Sequence, residues 1–297
     1  MNLPATLTEK AVHYARSSRS EATKRAYRSD WADFEAWCVA CNEAPLPASP
    51  ELVGLYLAAC ASSLKPSTLS RRIVSISAAH RLGGFELDTR HPAIRETLTG
   101  IKREHGTART EKAPLMTDQL RRAVKASPVL RDRALLLVTF AAALRRSEAS
   151  AMNIADLTFT EDGLTLFLPR RKNDQEGAGT KIGVPYGSDP ATCPVRVLRA
   201  YIDGRDLGAV FLNRSGSRLT GQGVAEVVKR AVSRIGLDPA EFGGHSLRAG
   251  FATSAAKAGA PERAIMRQTG HRSLPMLRRY IRDGELFTEN AAAVVGL

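Results

Sequence analysis

The chain has 297 residues, 43% of them apolar, and its 43 lysines and arginines against 30 aspartates and glutamates leave a net charge of +13. That length accommodates two cored domains, and neither a membrane-spanning apolar run nor a signal peptide is present, so a cytoplasmic protein is expected. A basic excess draws polyphosphates, but ribosomal and membrane-surface proteins share it, so charge alone does not choose the partner. Among the four cysteines, Cys38 and Cys41 form a CxxC that falls on the stripe Tyr27, Trp31, Phe34 of one helix. Buried thiols are therefore expected there rather than zinc or redox chemistry, since no second CxxC or paired histidine follows. The six histidines include no HxxxH pair, which argues against a metal nuclease, and no cofactor or metal is expected.

Residues 1–104 read as helices only, at about 5–17, 21–42, 50–63, 67–82 and 92–104, with Ser49-Pro50-Glu51 and Pro66-Ser67 as starts. Lys24, Arg25 and Arg28 lie off the apolar stripe of the second, and Lys65, Arg71 and Arg72 cluster at the start of the fourth. By default such clusters are solvated faces. The polar, unpatterned segment 105–113 reads as a linker. From 114 onward the pattern changes: an apolar helix breaks sharply at Leu144-Arg145, and a short helix with Ser147 and Glu148 follows. Strands are expected near 156–160, 164–169 and 180–186, the last two forming a hairpin with Arg171-Lys172 and the loop NDQEGAG between them, then Phe211-Leu212 and a helix after Thr220. No βα alternation appears, so the expected architecture is α+β and mainly helical: an N-terminal helical bundle, then a domain with a small antiparallel sheet over 114–297. The basic excess is +3 in residues 1–104 and +9 in 114–297.

The last fifth carries the chemistry. His245 and Arg248 stand three apart in the Ala-rich run GGHSLRAGFATSAAKAGA, so one helix face would present both, with Gly259 as its stop. Gly270-His271 ends the next short helix, which starts at Pro261, and Ser273 can cap a third containing Pro275 and ending at Tyr280. Upstream, Arg145 and Glu148 are again three apart. A lone tyrosine is usually a packing residue, and Glu148 read alone is as well taken for a solvated carboxylate; the ordered set changes that weighing.

Arginine, lysine, HxxR, GH and tyrosine in this order resemble the tyrosine recombinase (phage integrase) family over nearly the whole chain, most closely its Cre- and Xer-type branch. The first arginine motif usually follows a glycine there, whereas this chain has Ala142-Ala143-Leu144, so Arg145 is preferred to Arg146 because Ser147-Glu148 follow. The resemblance implies that Tyr280 is the nucleophile, that Arg145, Arg248 and His271 are the fixed cations meeting the charge of a five-coordinate phosphorus, and that His245 assists proton removal or holds the phosphate. Glu148 would orient the site, and Lys172, near the hairpin tip, is favoured over Lys181 as general acid. Lys24, Arg25, Arg28, Lys65, Arg71 and Arg72 become candidate DNA contacts of a helical core-binding domain.

The function so implied is site-specific recombination through a 3′-phosphotyrosyl intermediate, without metal or ATP. The expected partners are double-stranded DNA with an inverted-repeat site, clamped between the two domains, and a homotetramer on two such sites in the nucleoid. With nothing ahead of the bundle, an additional arm-site domain is not expected. A type IB topoisomerase, a non-catalytic DNA-binding protein and a metal nuclease are the rival readings. The apolar tail 286–297 is expected to dock on a neighbouring protomer.

Overall fold

The computed structural model describes residues 14, 19–107, 112–169, 171, 178–271, 273–275, 277, 278 and 280. The helix expected at 5–17, Lys172 and the tail 286–297 lie largely or wholly outside them. The chain divides into two compact units, Met1–Thr110 and Glu111–Leu297.

In the first unit α1 spans Glu21–Ala40, α2 Pro50–Cys60, α3 Pro66–Leu82 and α4 Pro92–His105. Their starts follow from local chemistry. Ser20 Oγ accepts from the Thr23 N–H at 3.2 Å, Ser49 Oγ from that of Leu52 at 3.2 Å, and Pro50 and Pro66 occupy first-turn positions where a missing N–H costs nothing. The apolar faces meet in a core of Phe34, Tyr56, Leu57, Leu69, Ile76 and Ile94. Cys38 lies in that core, where burial pushes its thiol up to about 11, while Cys41 is exposed at the helix end. A protonated, enclosed thiol is inert, as expected for Cys38; Cys41 departs from the expected buried pair because it caps the end of α1, past the last turn of the apolar stripe.

Arg72 departs from the DNA-contact expectation. Positions 69, 72, 73 and 76 share one face of α3, and that face is buried, so the Arg72 guanidinium points inward. An enclosed cation needs an internal anion. Its Nη1 donates to Asp33 Oδ1 and Tyr56 Oη, and Tyr56 Oη donates to Asp33 at 2.6 Å. Arg71 is half-exposed but forks onto Asp30 at 2.8 and 2.9 Å. Lys24 pairs with Glu21 at 2.6 Å, and Arg25, Arg28 and Lys65 are exposed.

The second unit contains α5 (Thr117–Lys125), α6 (Leu130–Ala141), α7 (Arg146–Ala151), β1 (Leu157–Phe159), β2 (Gly163–Leu168), β3 (Thr180–Pro185), α8 (Pro194–Ile202), α9 (Gly221–Ser233), α10 (Ser246–Lys257) and α11 (Glu262–Thr269). Helix α6 is apolar nearly all round, and so it is the central element, packed on α5, α8 and α10. The sheet is antiparallel in the order β1-β2-β3, with Leu157 opposite Leu166 and Leu168 opposite Thr180. Leu164, Leu166, Ile182 and Val184 face the core, whereas Lys181 stands opposite Phe167 on the exposed face. Phe211-Leu212 makes no full strand; Leu212 forms an isolated bridge with Arg218. The α+β, mainly helical architecture agrees with the sequence expectation.

The beginning of α10 is held by the chain that enters the unit. Leu115 N–H donates to Ser246 O at 2.9 Å, and Leu115 O approaches Gly250 so closely that a Cβ there would lie 1.9 Å away. Only glycine permits that approach.

Candidate active site

Helix α6 stops because Ala143 adopts a left-handed backbone, φ 48°, after which the chain turns into α7 with Arg145 at its cap. Glu148 closes the turn: Arg145 N–H donates to Oε2 at 2.8 Å and Arg145 Nη1 to Oε1 at 2.6 Å. The carboxylate is 6% exposed, not a solvated surface group. Burial pushes its pKa up, but the Arg145 N–H and the Arg171 and Arg145 guanidinium groups overcome this and hold it below the usual value. Arg146, the rejected alternative, is exposed.

His245 is the cap of α10 rather than an interior residue, yet its φ of −92° and ψ of −17° are helical, so the three-residue spacing to Arg248 still works. Arg248 is 1% exposed. Its Nη1 donates to Ala143 O at 2.7 Å, so the left-handed turn is what aims an acceptor at it. Its Nη2 is buried without a hydrogen-bond partner among the described residues. Burial, then the neighbouring Arg145 charge, lowers its pKa to about 10, which still leaves a cation at neutral pH. A buried, unpaired donor on a cation is a costly arrangement that an arriving anionic oxygen would relieve.

Gly270, φ 66°, ends α11 in the left-handed conformation and presents His271, which is 7% exposed. Thr269 Oγ1 donates to Ile265 O at 2.7 Å, so its lone pair receives His271 Nδ1–H at 2.9 Å. Burial, followed by the charges of Arg248 and Arg145, lowers the His271 pKa to about 4. The imidazole is therefore neutral at pH 7 in the folded chain. The reason is geometric: the same enclosure and arginines that would serve a phosphate disfavour a further positive charge.

Beyond His271 a helical turn holds Leu274, Pro275, Leu277, Arg278 and Tyr280. Leu277 is fully buried among Ala252, Ala256 and Ile265, and Arg278 pairs with Glu262 at 3.0 Å, so the turn rests on α10 and α11 of its own chain. Tyr280 Oη lies 2.7 Å from His245 Nε2, and its ring stacks on His271 with centroids 5.6 Å apart. Arg145, Glu148, His245, Arg248, His271 and Tyr280 are thus brought to one place. Lys172 lies outside the described residues, and Lys181 is on the exposed face of β3. Sequence reasoning missed Ala143, whose carbonyl accepts from Arg248, Thr269 as the partner of His271, and Arg171, which is 6% exposed inside the cluster. Among the described residues no group of three His, Cys, Asp or Glu side chains could hold a metal.

Three comparisons bear on this arrangement. The phage integrase family matches residues 114–285, more than half of the chain. An integrase/recombinase xerD homolog of Selenomonas ruminantium is 37% identical, covering 96% of this chain and 88% of its own length. Tyrosine recombinase XerD of Bifidobacterium longum is 30% identical over 87% of this chain and 86% of its own. In fold, the chain is similar to lambda integrase residues 75–356 bound as a dimer to a COC′ core site, with a TM-score of 0.63, 18% identity and coverage of 95% and 96% of the two chains. It is also similar to the XerH site-specific recombinase bound to a palindromic difH substrate, with a TM-score of 0.61, 19% identity and coverage of 84% and 73%. A helical unit precedes a small-sheet unit that gathers a tyrosine, two histidines and buried arginines at one place. The chain belongs to the phage integrase family, the tyrosine recombinases of site-specific recombination.

Proposed function

We propose that this chain cuts and rejoins double-stranded DNA by attack of Tyr280 Oη on a phosphodiester. The O–P bond to tyrosine forms as the P–O5′ bond breaks, giving a 3′-phosphotyrosyl link and a free 5′ hydroxyl. His245 receives the phenol proton, Lys172 supplies one to the leaving 5′ oxygen, and Arg145 and Arg248 meet the non-bridging oxygens. His271, neutral alone with its Nδ1–H on Thr269, accepts a proton from solvent at Nε2 as negative charge builds on phosphorus, and that Nε2–H then donates to a non-bridging oxygen. Glu148 orients Arg145. A 5′ hydroxyl of a second duplex reverses the reaction, so bond energy is retained and no ATP is needed, and the arginines supply the charge that a metal would otherwise bring.

The observation that carries this reading is the Tyr280 hydroxyl at 2.7 Å from His245, beside the buried Arg248 Nη2 donor, which has no hydrogen-bond partner among the described residues. The lambda integrase structures, bound to DNA and to a COC′ core site, support DNA as the partner, and the palindromic difH substrate of XerH supports a site of two inverted elements. Two protomers on each of two sites make a homotetramer. Residues 1–104 act as the core-binding domain, 105–113 as the linker and 114–297 as the catalytic domain, with Lys24, Arg25, Arg28, Lys65 and Arg71 reaching phosphates. Arg72, enclosed by Asp33 and Tyr56, has no such role.

Tyr280→Phe removes one hydroxyl, so it should bind site DNA as the parent does yet form no covalent adduct. Denaturing electrophoresis after incubation with nicked site DNA in excess EDTA makes the test. An adduct in the variant, or no adduct from the parent unless a divalent ion is restored, would overturn the reading.

A further inference from the structure

Arg171 follows β2 and enters the site between two structures that the reaction uses. Its Nε lies 3.5 Å from Glu148 Oε1, and its Nη2 donates to Thr269 O at 3.2 Å. Glu148 is the group that holds Arg145 through two contacts, and Thr269 is the group that holds the His271 ring. The guanidinium is 6% exposed and is pressed against the backbone of Gly270, where a Cβ would lie 2.4 Å from Nη1. Gly270 is thus constrained twice, by its left-handed backbone and by this contact. An enclosed arginine with Nε and Nη1 lacking hydrogen bonds among the described residues is an expensive device for mere packing, where methionine or leucine would fill the space without desolvating a charge.

We propose that Arg171 is a positioning residue of this recombinase: it spans from the Glu148 carboxylate to the Thr269 carbonyl and so keeps the Arg145 arm and the His271 turn in one register. The inference rests on the roles given above to Arg145, Glu148 and His271. It acts through geometry that no single element possesses, because α7, the end of β2 and the end of α11 come from three separate parts of the chain. Guanidinium is suited to it, since its planar fork can address a carboxylate on one edge and a carbonyl on another, which an ammonium cannot do in fixed directions.

The test uses the full chain and single-turnover cleavage of nicked site DNA, with Arg171→Met, Arg171→Lys, Glu148→Gln and the double variant Glu148→Gln/Arg171→Met. Arg171→Met is expected to bind site DNA within about twofold of the parent and to cleave roughly 10- to 100-fold more slowly, the scale known for losing an outer-shell partner that orients a metal ligand, taken here for a partner that orients a catalytic side chain. Arg171→Lys should recover only part of that. Because Arg171 works partly through Glu148, the double variant should be little slower than the slower single variant. A parental cleavage rate in Arg171→Met overturns the proposal. So does a double variant whose losses multiply fully, or a loss that vanishes on DNA with sulfur in place of the 5′ oxygen, which would make Arg171 the acid. Should Arg171→Met fail to fold, a parental rate in Arg171→Lys overturns it equally. Failure of the Tyr280 reading is separable, because it shows in the parental adduct itself.

Discussion

The reactive side chains at this site are conditioned by their surroundings, and His271 is the plainest case. Its pKa is about 4 in the folded chain against 6.5 ordinarily, so as pH falls from 6.5 toward 4 the unfolded chain takes up a proton that the folded chain refuses. Stability is therefore unaffected by this group above pH 6.5, declines through the window, and has lost its full share below pH 4. The shift corresponds to something on the order of 3 kcal/mol. His271→Asn should flatten the change in urea midpoint between pH 7 and pH 4.5, and an unchanged slope would contradict the assignment. Ala143 sets a second condition. A left-handed alanine costs roughly 1–2 kcal/mol, while glycine would forfeit a buried methyl of about 0.8 kcal/mol and add about 0.5–1 kcal/mol of unfolded-chain entropy. These offset, so Ala143→Gly should leave stability within about 1 kcal/mol of the parent. Ala143→Val, β-branched at φ 48°, should lower the midpoint strongly and slow cleavage through Arg248. A tolerated valine in thermal melts and cleavage assays would refute this account of the turn.

At the level of elements, the turn bearing Tyr280 is short and cannot be stable alone, so its docking depends on Leu277 and the Arg278–Glu262 pair. A buried leucine cut to alanine typically costs about 2–5 kcal/mol. Here that loss falls on a local docking equilibrium rather than on the core around α6. Leu277→Ala should therefore slow cleavage by about tenfold or more, each 1.4 kcal/mol being tenfold in population, with the global melting midpoint nearly unmoved. Hydrogen exchange at the turn and single-turnover cleavage check this together; parental cleavage would mean that the turn is held by other contacts. The other elements act as brackets. Gln268 Nε2 donates to Ala141 O at 2.8 Å and to Gly183 O at 3.1 Å, tying α11 to the end of α6 and to β3.

Across the whole molecule, the surplus of +13 supplies sequence-independent attraction to DNA, and +9 of it lies in residues 114–297, the part that matches the family. Assembly is where the tail 286–297, outside the described residues, enters as a proposal. Leu286, Phe287, Val294, Val295 and Leu297 make an apolar segment too small to fold alone, and a head-to-tail contact of each tail with the next protomer would close a ring of four. Deleting 286–297 should leave single-element DNA binding within a few fold while abolishing paired sites and recombination, as read by sedimentation and a two-site exchange assay. Tetrameric synapses of the truncated chain would rule the exchange out.

The amino-acid order by itself determined the helices of residues 20–105, the three strands and the α+β class, because these are local signals: caps, periodicities and short spacings that hold whatever packs around them. The set Arg145, Glu148, His245, Arg248, His271 and Tyr280 was legible only through its ordered resemblance to a family, since its members are far apart in the chain. Arg71 and Arg72 are neighbours with the same charge and propensity, and only packing turned one inward to Asp33 and Tyr56. Arg171 read as a hairpin cation until β2 carried it against Glu148 and Thr269. The neutrality of His271 follows in the same way from enclosure and from arginines 23 and 126 positions upstream. Burial and through-space charge depend on which distant segments become neighbours, and a sequence of residue types carries that information only once the chain has folded.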